Sequence, residues 1–129
     1  MLPFSVALQP GLPVQEQVIY AVTRAVVSGQ LRPGDSFPSV RTLSQELRIN
    51  PNTAHRIVAG LVDDGLLEVR PGVGTVVKEP APVSAAERRE ILEDAVERLV
   101  VAARRAGLAQ KDVIAALRRH WGATTPEDR

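Results

Sequence analysis

The sequence predicts a mainly α-helical chain with one small β-hairpin: an N-terminal winged helix-turn-helix followed by a C-terminal α-helical hairpin. Three observations carry this expectation. Apolar residues recur at helical spacing in several stretches. Two short β-prone runs, Leu66–Arg70 and Thr75–Val77, flank Pro71-Gly72-Val73-Gly74, which suits a hairpin turn. Finally, Lys78-Glu79-Pro80-Ala81-Pro82-Val83 places two prolines in three residues, which neither a continuing helix nor a central strand accepts.

In the first half, Val14, Val18, Val22, Ala25 and Val26 fall at helical spacing, and Ser28-Gly29 closes that helix. Leu31-Arg32-Pro33-Gly34-Asp35 is a Pro-Gly turn. Ser39 is a good N-cap for a short helix with Val40, Leu43 and Leu47 along one side. Asn50-Pro51 opens a third helix with an Asn cap and proline at the first helical position. Ala54, Ile57, Val58, Leu61 and Val62 give that helix a buried face, and Gly65 sits where a C-cap glycine belongs. Helix, helix, helix, hairpin is the order of a winged helix-turn-helix.

In the second half, Ser84-Ala85-Ala86-Glu87 is a capping box. Ile91, Ala95, Leu99, Ala102 and Ala106 mark a helix of about six turns ending at Gly107. A further helix carries Val113, Leu117 and Trp121 and closes at Gly122. The expected organisation is a DNA-binding domain over 1–78, a linker over 79–83, a two-helix dimerisation domain over 84–122 and a frayed tail over 123–129. Two helices alone bury little surface, so their apolar stripe calls for a partner, either the first domain or a second copy. A small-residue stripe (Ala95, Ala102, Ala103, Ala106) permits close helix approach. The expected dimer interface is Ile91, Ala95, Leu99, Ala102, Leu117 and Trp121.

Composition bounds the function. The chain has 129 residues, which leaves no room for a large two-domain enzyme. No uncharged apolar stretch approaches the roughly 18 residues of a membrane span. The absence of cysteine excludes disulfides, thiolate catalysis and cysteine-ligated zinc, and fits a cytoplasmic protein. Met1–Pro10 holds no Lys or Arg and does not read as a secretory signal. His55 and His120 are the only histidines, neither stands at triad spacing from Ser or Asp, and no phosphate-binding Gly-rich loop with Lys is present. Neither an enzyme, nor a metal site, nor a cofactor is expected.

The third helix is the functional candidate. Its buried residues leave Asn52, Thr53, His55, Arg56 and Ala59 outward, and the N-terminal part of such a helix enters the major groove. Asn pairs bidentately with adenine and Arg with guanine, while Thr and helix N-terminal amides suit phosphate. Capping alone accounts for Asn50, Pro51 and Asn52, but not for an outward Thr53, His55 and Arg56, and Asn50 joins these as a candidate DNA contact at the helix start. Arg41, at the start of the preceding helix, is placed to lie along the DNA backbone. The Pro71–Gly74 turn, with Arg70 beside it, is placed to offer Gly72 and Gly74 backbone amides to phosphate. The net charge of +1 looks low for a nucleic-acid binder, yet Val40–Val62 holds three arginines and a histidine against the single Glu46.

These residues resemble the GntR family of bacterial transcription regulators. The likeness runs from about Pro13 to Val77 through Ser28-Gly29-Gln30-Leu31-Arg32-Pro33-Gly34-Asp35, Pro38-Ser39-Val40-Arg41-Thr42-Leu43, Ile49-Asn50-Pro51-Asn52-Thr53, Asp64-Gly65-Leu66-Leu67 and Gly72-Val73-Gly74-Thr75-Val76-Val77. The Asn-Pro-Asn-Thr helix start and the short tail resemble the YtrA subfamily. The resemblance implies a homodimeric repressor on an inverted-repeat operator of double-stranded DNA, in the setting of a transporter operon. It maps DNA contact onto Arg41, Asn52, Thr53 and Gly72. Two positions depart from many relatives, Pro51 and His55, where Arg, or Arg and Gln, are common. Base reading then falls to Asn52, His55 or Arg56. A small-molecule effector, of unknown identity, would have to lie between the domains or across the dimer. The competing expectation is a winged helix that binds protein without specific DNA binding.

Overall fold

The computed structural model describes residues 1–124. It divides into two compact units, Met1–Pro80 and Ala81–Ala123. The frayed tail expected over 123–129 lies largely outside the described residues.

The first unit is built on three helices: α1 (Val14–Val27), α2 (Val40–Leu47) and α3 (Pro51–Asp63). Ser39 caps α2, its hydroxyl accepting the Thr42 N–H at 3.1 Å. Asn50 caps α3, its side-chain oxygen accepting the Asn52 N–H at 2.7 Å, with Pro51 first in the helix. Both caps satisfy amides that would otherwise be orphaned at a helix start. At the far end of α3, Gly65 takes φ 80°, and the Leu66 N–H reaches back to the Leu61 carbonyl at 3.0 Å. This left-handed closure is what glycine permits at low cost.

Strands β1 (Leu67–Arg70) and β2 (Gly74–Val77) pair antiparallel, Leu67 opposite Val77 and Arg70 opposite Gly74. The 34–37 segment lies on the other side of β2. Gly34 N–H donates to the Val77 carbonyl at 2.8 Å, Val77 N–H to Asp35 at 2.8 Å and Phe37 N–H to Thr75 at 2.8 Å. The Pro-Gly turn therefore does more than reverse the chain: it lays down a short third edge to the wing.

Val18, Val22, Ala25, Leu31, Leu43, Ala54, Ile57, Leu61, Leu67 and Val77 form the core with Phe4 and Phe37. Val58 and Val62, expected in the buried face of α3, are half-buried at its margin. Gly60 on α3 marks the closest approach to α1, since a Cβ there would stand 3.2 Å from the Ile19 Cδ1 atom.

The N-terminal arm is a feature the sequence reading missed. Leu2, Phe4, Val6 and Leu8 turn toward the core in alternation while Ser5, Ala7 and Gln9 face out. The signal was there as a period of two. The Gln17 amide fastens the arm to α1: its oxygen accepts the Gln9 N–H at 2.8 Å, and its nitrogen donates to the Gln9 and Leu12 carbonyls at 3.2 and 3.1 Å.

The second unit is helical. Ser84 caps α4 (Ala85–Arg89) by accepting the Glu87 N–H at 3.1 Å. The Glu87 carboxylate reaches the Ser84 hydroxyl rather than the backbone amide of a full capping box. A π-helical stretch, Glu90–Ala95, follows and leads into α5 (Val96–Arg105). The expected uninterrupted α-helix over these residues is thereby corrected. The π stretch accommodates about one more residue per turn, which brings Ile91 closer in phase with Leu99 than eight residues of straight α-helix would. Neither Gly nor Pro marks it in the sequence. Gly107, at φ 75°, closes α5, with the Leu108 N–H bonded to the Ala103 carbonyl at 3.0 Å. Helix α6 (Gln110–Ala123) runs through Gly122, which does not terminate it as the sequence suggested. A glycine in helical conformation weakens a helix without stopping it.

Candidate nucleic-acid interface

The site is built on α3. Burying Ala54, Ile57 and Leu61 fixes the rotation of the helix, and Asn52, Arg56, Ala59 and Asp63 then fall on the opposite side at i, i+4, i+7 and i+11. All four are exposed. Asn52 and Arg56, in the first two turns, form the polar part of this row. Asp63 stands at the other end of the helix, about three turns from Asn52 and two from Arg56. His55 is exposed on one flank, while Thr53 on the other flank is half-buried. Arg41 is exposed at the start of α2.

Two of the sequence-derived candidates are already engaged. The Asn50 side-chain oxygen holds the helix cap, which leaves its amide N–H groups as the part available to a ligand. Arg70 is paired: its Nε donates to the Glu68 carboxylate at 3.2 Å on the same face of the hairpin. The wing tip itself is open. Val73 N–H closes the turn onto the Arg70 carbonyl at 3.0 Å, and Gly72 and Gly74 take φ 78° and 110°. No heavy atom lies within 4 Å of where a Cβ would stand on either glycine, so both are required by the backbone and not by crowding. Pro71 and Val73 are exposed at this tip and add an apolar contact surface that the sequence reading left unused.

The expected dimer-interface residues all belong to the second unit. Ile91, Leu99, Leu117 and Trp121 are large apolar side chains at the surface of the single chain, and Ala95 and Ala102 are exposed beside them. Ala103 is the one residue buried among those described in this unit. A cleft of about 520 Å³ opens between α5 and the start of α6, lined by Val100, Ala103, Leu108 and Val113 with Arg104 at its edge.

Among the described residues no group of three His, Asp or Glu side chains is placed to hold a metal ion, and no helix is long and apolar enough to cross a membrane. What the first unit offers is a polar helix face, an exposed arginine on the preceding helix and an open glycine turn. Residues 14–77, which contain all of these, match the family described as bacterial regulatory proteins, gntR family. A curated relative, the transcriptional repressor YtrA of Bacillus subtilis, is 31% identical over 97 residues, covering 74% of this chain and 75% of that one. The chain belongs to the GntR family.

Further comparisons find relatives and solved structures of similar length. The transcriptional regulator Rv1152 of Mycobacterium tuberculosis is 30% identical over 109 residues, covering 84% of this chain and 86% of its own length. Among solved structures, a transcriptional antiterminator from Listeria monocytogenes superposes with a TM-score of 0.81 at 18% identity, over 98% of this chain and 95% of that one. YtrA from Sulfolobus acidocaldarius gives 0.52 at 24% identity, over 92% and 97%. At these identities the structural likeness speaks to the fold. As a GntR protein, the chain is a DNA-binding transcriptional regulator, in the company of regulators and not of enzymes.

Proposed function

We propose that the chain acts as a homodimeric repressor that binds an inverted-repeat operator. Residues 1–78 form the DNA-binding domain, 79–83 the linker and 84–122 the dimerisation domain. The observation that carries this reading is the polar row on α3: Asn52 and Arg56 stand opposite the buried face, in the turns that enter a major groove. Asn52 and Arg56 read base edges, with His55 flanking them. Arg41, Thr53 and the free amide of Asn50 contact the backbone, and the Gly72–Gly74 turn approaches the minor groove. Arg70 orders the wing through Glu68 and contributes its remaining guanidinium donors to phosphate.

The dimer is supported by the apolar surface of the second unit. Ile91, Leu99, Leu117 and Trp121 expose area that a single chain leaves in water, beside the small Ala95 and Ala102 that allow close approach. Two-fold pairing would set half-sites about one helical turn of DNA, or a small multiple, apart. The name of the B. subtilis relative supports the sign of regulation, repression, and control of a transporter operon is the setting that the YtrA likeness implies.

A mobility-shift titration of the full chain against the promoter region of its own operon tests the reading. Binding at least 10³-fold tighter than to random duplex at physiological salt is expected, within the range of specific regulators. Equal affinity for both duplexes would sink it in favour of a protein-binding winged helix.

A further inference from the structure

Arg48 sits in the turn between α2 and α3, and among the described residues it is the one non-glycine with positive φ (54°, with ψ 50°). The chain closes α2 there in the left-handed manner. The Arg48 N–H and the Ile49 N–H both donate to the Ser44 carbonyl, the second at 3.0 Å, while Ile49 turns back onto the core. Glycine fills such a position without steric cost, and asparagine nearly so. A long cationic side chain gains nothing from the turn itself. It neither caps a helix nor packs, being exposed.

The surroundings give the guanidinium no partner either. Of the ion pairs among the described residues, one joins Arg70 to Glu68 and the other joins the Met1 ammonium to Glu46. Glu46 is the only acid between Val40 and Val62, and it is answered from the N-terminal arm. Arg48 therefore projects uncompensated from a point two residues before the Asn50 cap of α3. Arg41 lies on the preceding helix, and His55 and Arg56 lie on the helix that follows. A backbone conformation that costs free energy and is retained with a charged side chain is best explained by what that side chain binds.

We propose that Arg48 is an additional phosphate-contacting residue, anchoring the DNA backbone beside the entry point of α3. The ligand is a phosphate diester oxygen of duplex DNA, bound through the guanidinium donors without regard to base sequence. The inference rests on α3 being the groove-entering helix. It adds a cation that supplies affinity while leaving base preference to Asn52 and Arg56.

The test uses the full chain with Arg48→Gly and Arg48→Lys, read as the dependence of affinity on salt for a random-sequence duplex and for the promoter duplex. For Arg48→Gly the slope of log affinity against log salt is expected to be shallower by about 0.9 per subunit, with equal loss on both duplexes. Arg48→Lys keeps the slope, because the charge is retained. Arg48→Gly should also melt no lower than the parent, since glycine accepts the left-handed turn. An unchanged slope in Arg48→Gly overturns the proposal. So does a loss confined to the promoter duplex, which would make Arg48 a base reader, or a loss accompanied by a lower melting temperature, which would make the defect one of folding. Random duplex suffices for the slope, so a parent chain that shows no promoter preference would defeat the operator reading while leaving this measurement intact.

Discussion

The ring of Phe4 lies parallel to that of Phe37, with centroids 5.8 Å apart and planes 4° from parallel. Phe37 also donates its N–H to Thr75 in the wing and stands two residues before the Ser39 cap of α2. One aromatic contact thus joins the N-terminal arm to the junction of wing and helix-turn-helix. Phe4→Ala is expected to destabilise the first unit by about 3 kcal/mol, from lost burial and the ring pair together. Thermal denaturation checks this. A melting temperature within a degree or two of the parent would show that the arm is not integral to the fold.

Asn50 presents a separable pair of roles. Asp caps a helix as well as Asn does, so Asn50→Asp should leave thermal stability unchanged. It should weaken DNA binding by about 1 kcal/mol or more per subunit, because a carboxylate would face phosphates at close range. Stability and affinity are measured on the same preparation. Unchanged affinity would confine Asn50 to the cap.

Arg56 stands opposite the buried face of α3 and away from any acid on its own first turns. Arg56→Ala is expected to cost about 1–3 kcal/mol on the promoter duplex and to relax preference at one base position per half-site. Titrations against duplexes substituted base by base read this out. A uniform loss across all of them would reassign Arg56 to the backbone.

At the wing, Gly74 is the less replaceable glycine. Its φ of 110° lies beyond the ordinary left-handed well, whereas Gly72 at 78° lies nearer to it. Alanine meets open space at both, so the whole cost is backbone strain, about 1–3 kcal/mol at Gly74 and less at Gly72. Denaturant melts of Gly74→Ala and Gly72→Ala should rank in that order, and the reverse ranking would refute it.

Leu99 is 46% exposed in the single chain, so a polar residue there leaves the fold of α5 intact. If this face pairs with a second copy, Leu99→Asp forfeits about 2 kcal/mol of apolar burial for each subunit and adds the cost of desolvating a carboxylate. Sedimentation velocity should find a dimer for the parent and a monomer, or a far weaker dimer, for the variant. A variant dimer as tight as the parent would place the interface elsewhere.

The helix-turn-helix was legible in the sequence because its boundaries are chemical: Ser39 and Asn50 are caps, Pro51 is pre-set for a first turn, and Gly65 takes a conformation other residues avoid. The outward row of α3 followed from the positions of Ala54, Ile57 and Leu61. The arm was harder to see. Leu2, Phe4, Val6 and Leu8 alternate as a strand would, but the arm is not hydrogen-bonded into the sheet, and no turn residue announces where it docks. Arg48 was hidden for the opposite reason, since nothing about an arginine suggests a left-handed turn. The pairing of the 34–37 segment with β2 depends on chain elements some forty residues apart, which local patterns do not report.

The π stretch over Glu90–Ala95 has a consequence for how this helix tolerates change. An α-helix with one extra residue accommodated in a wide turn holds its two ends at a particular rotational phase. Removing a single residue anywhere within the stretch would let the segment relax to α geometry with little net rotation of α4 against α5, because the wide turns already take back about the rotation that one residue adds in an α-helix. Here a length change of one residue is absorbed without a rotation, so a relative that lacks the extra residue would present the same faces on either side of a one-residue gap.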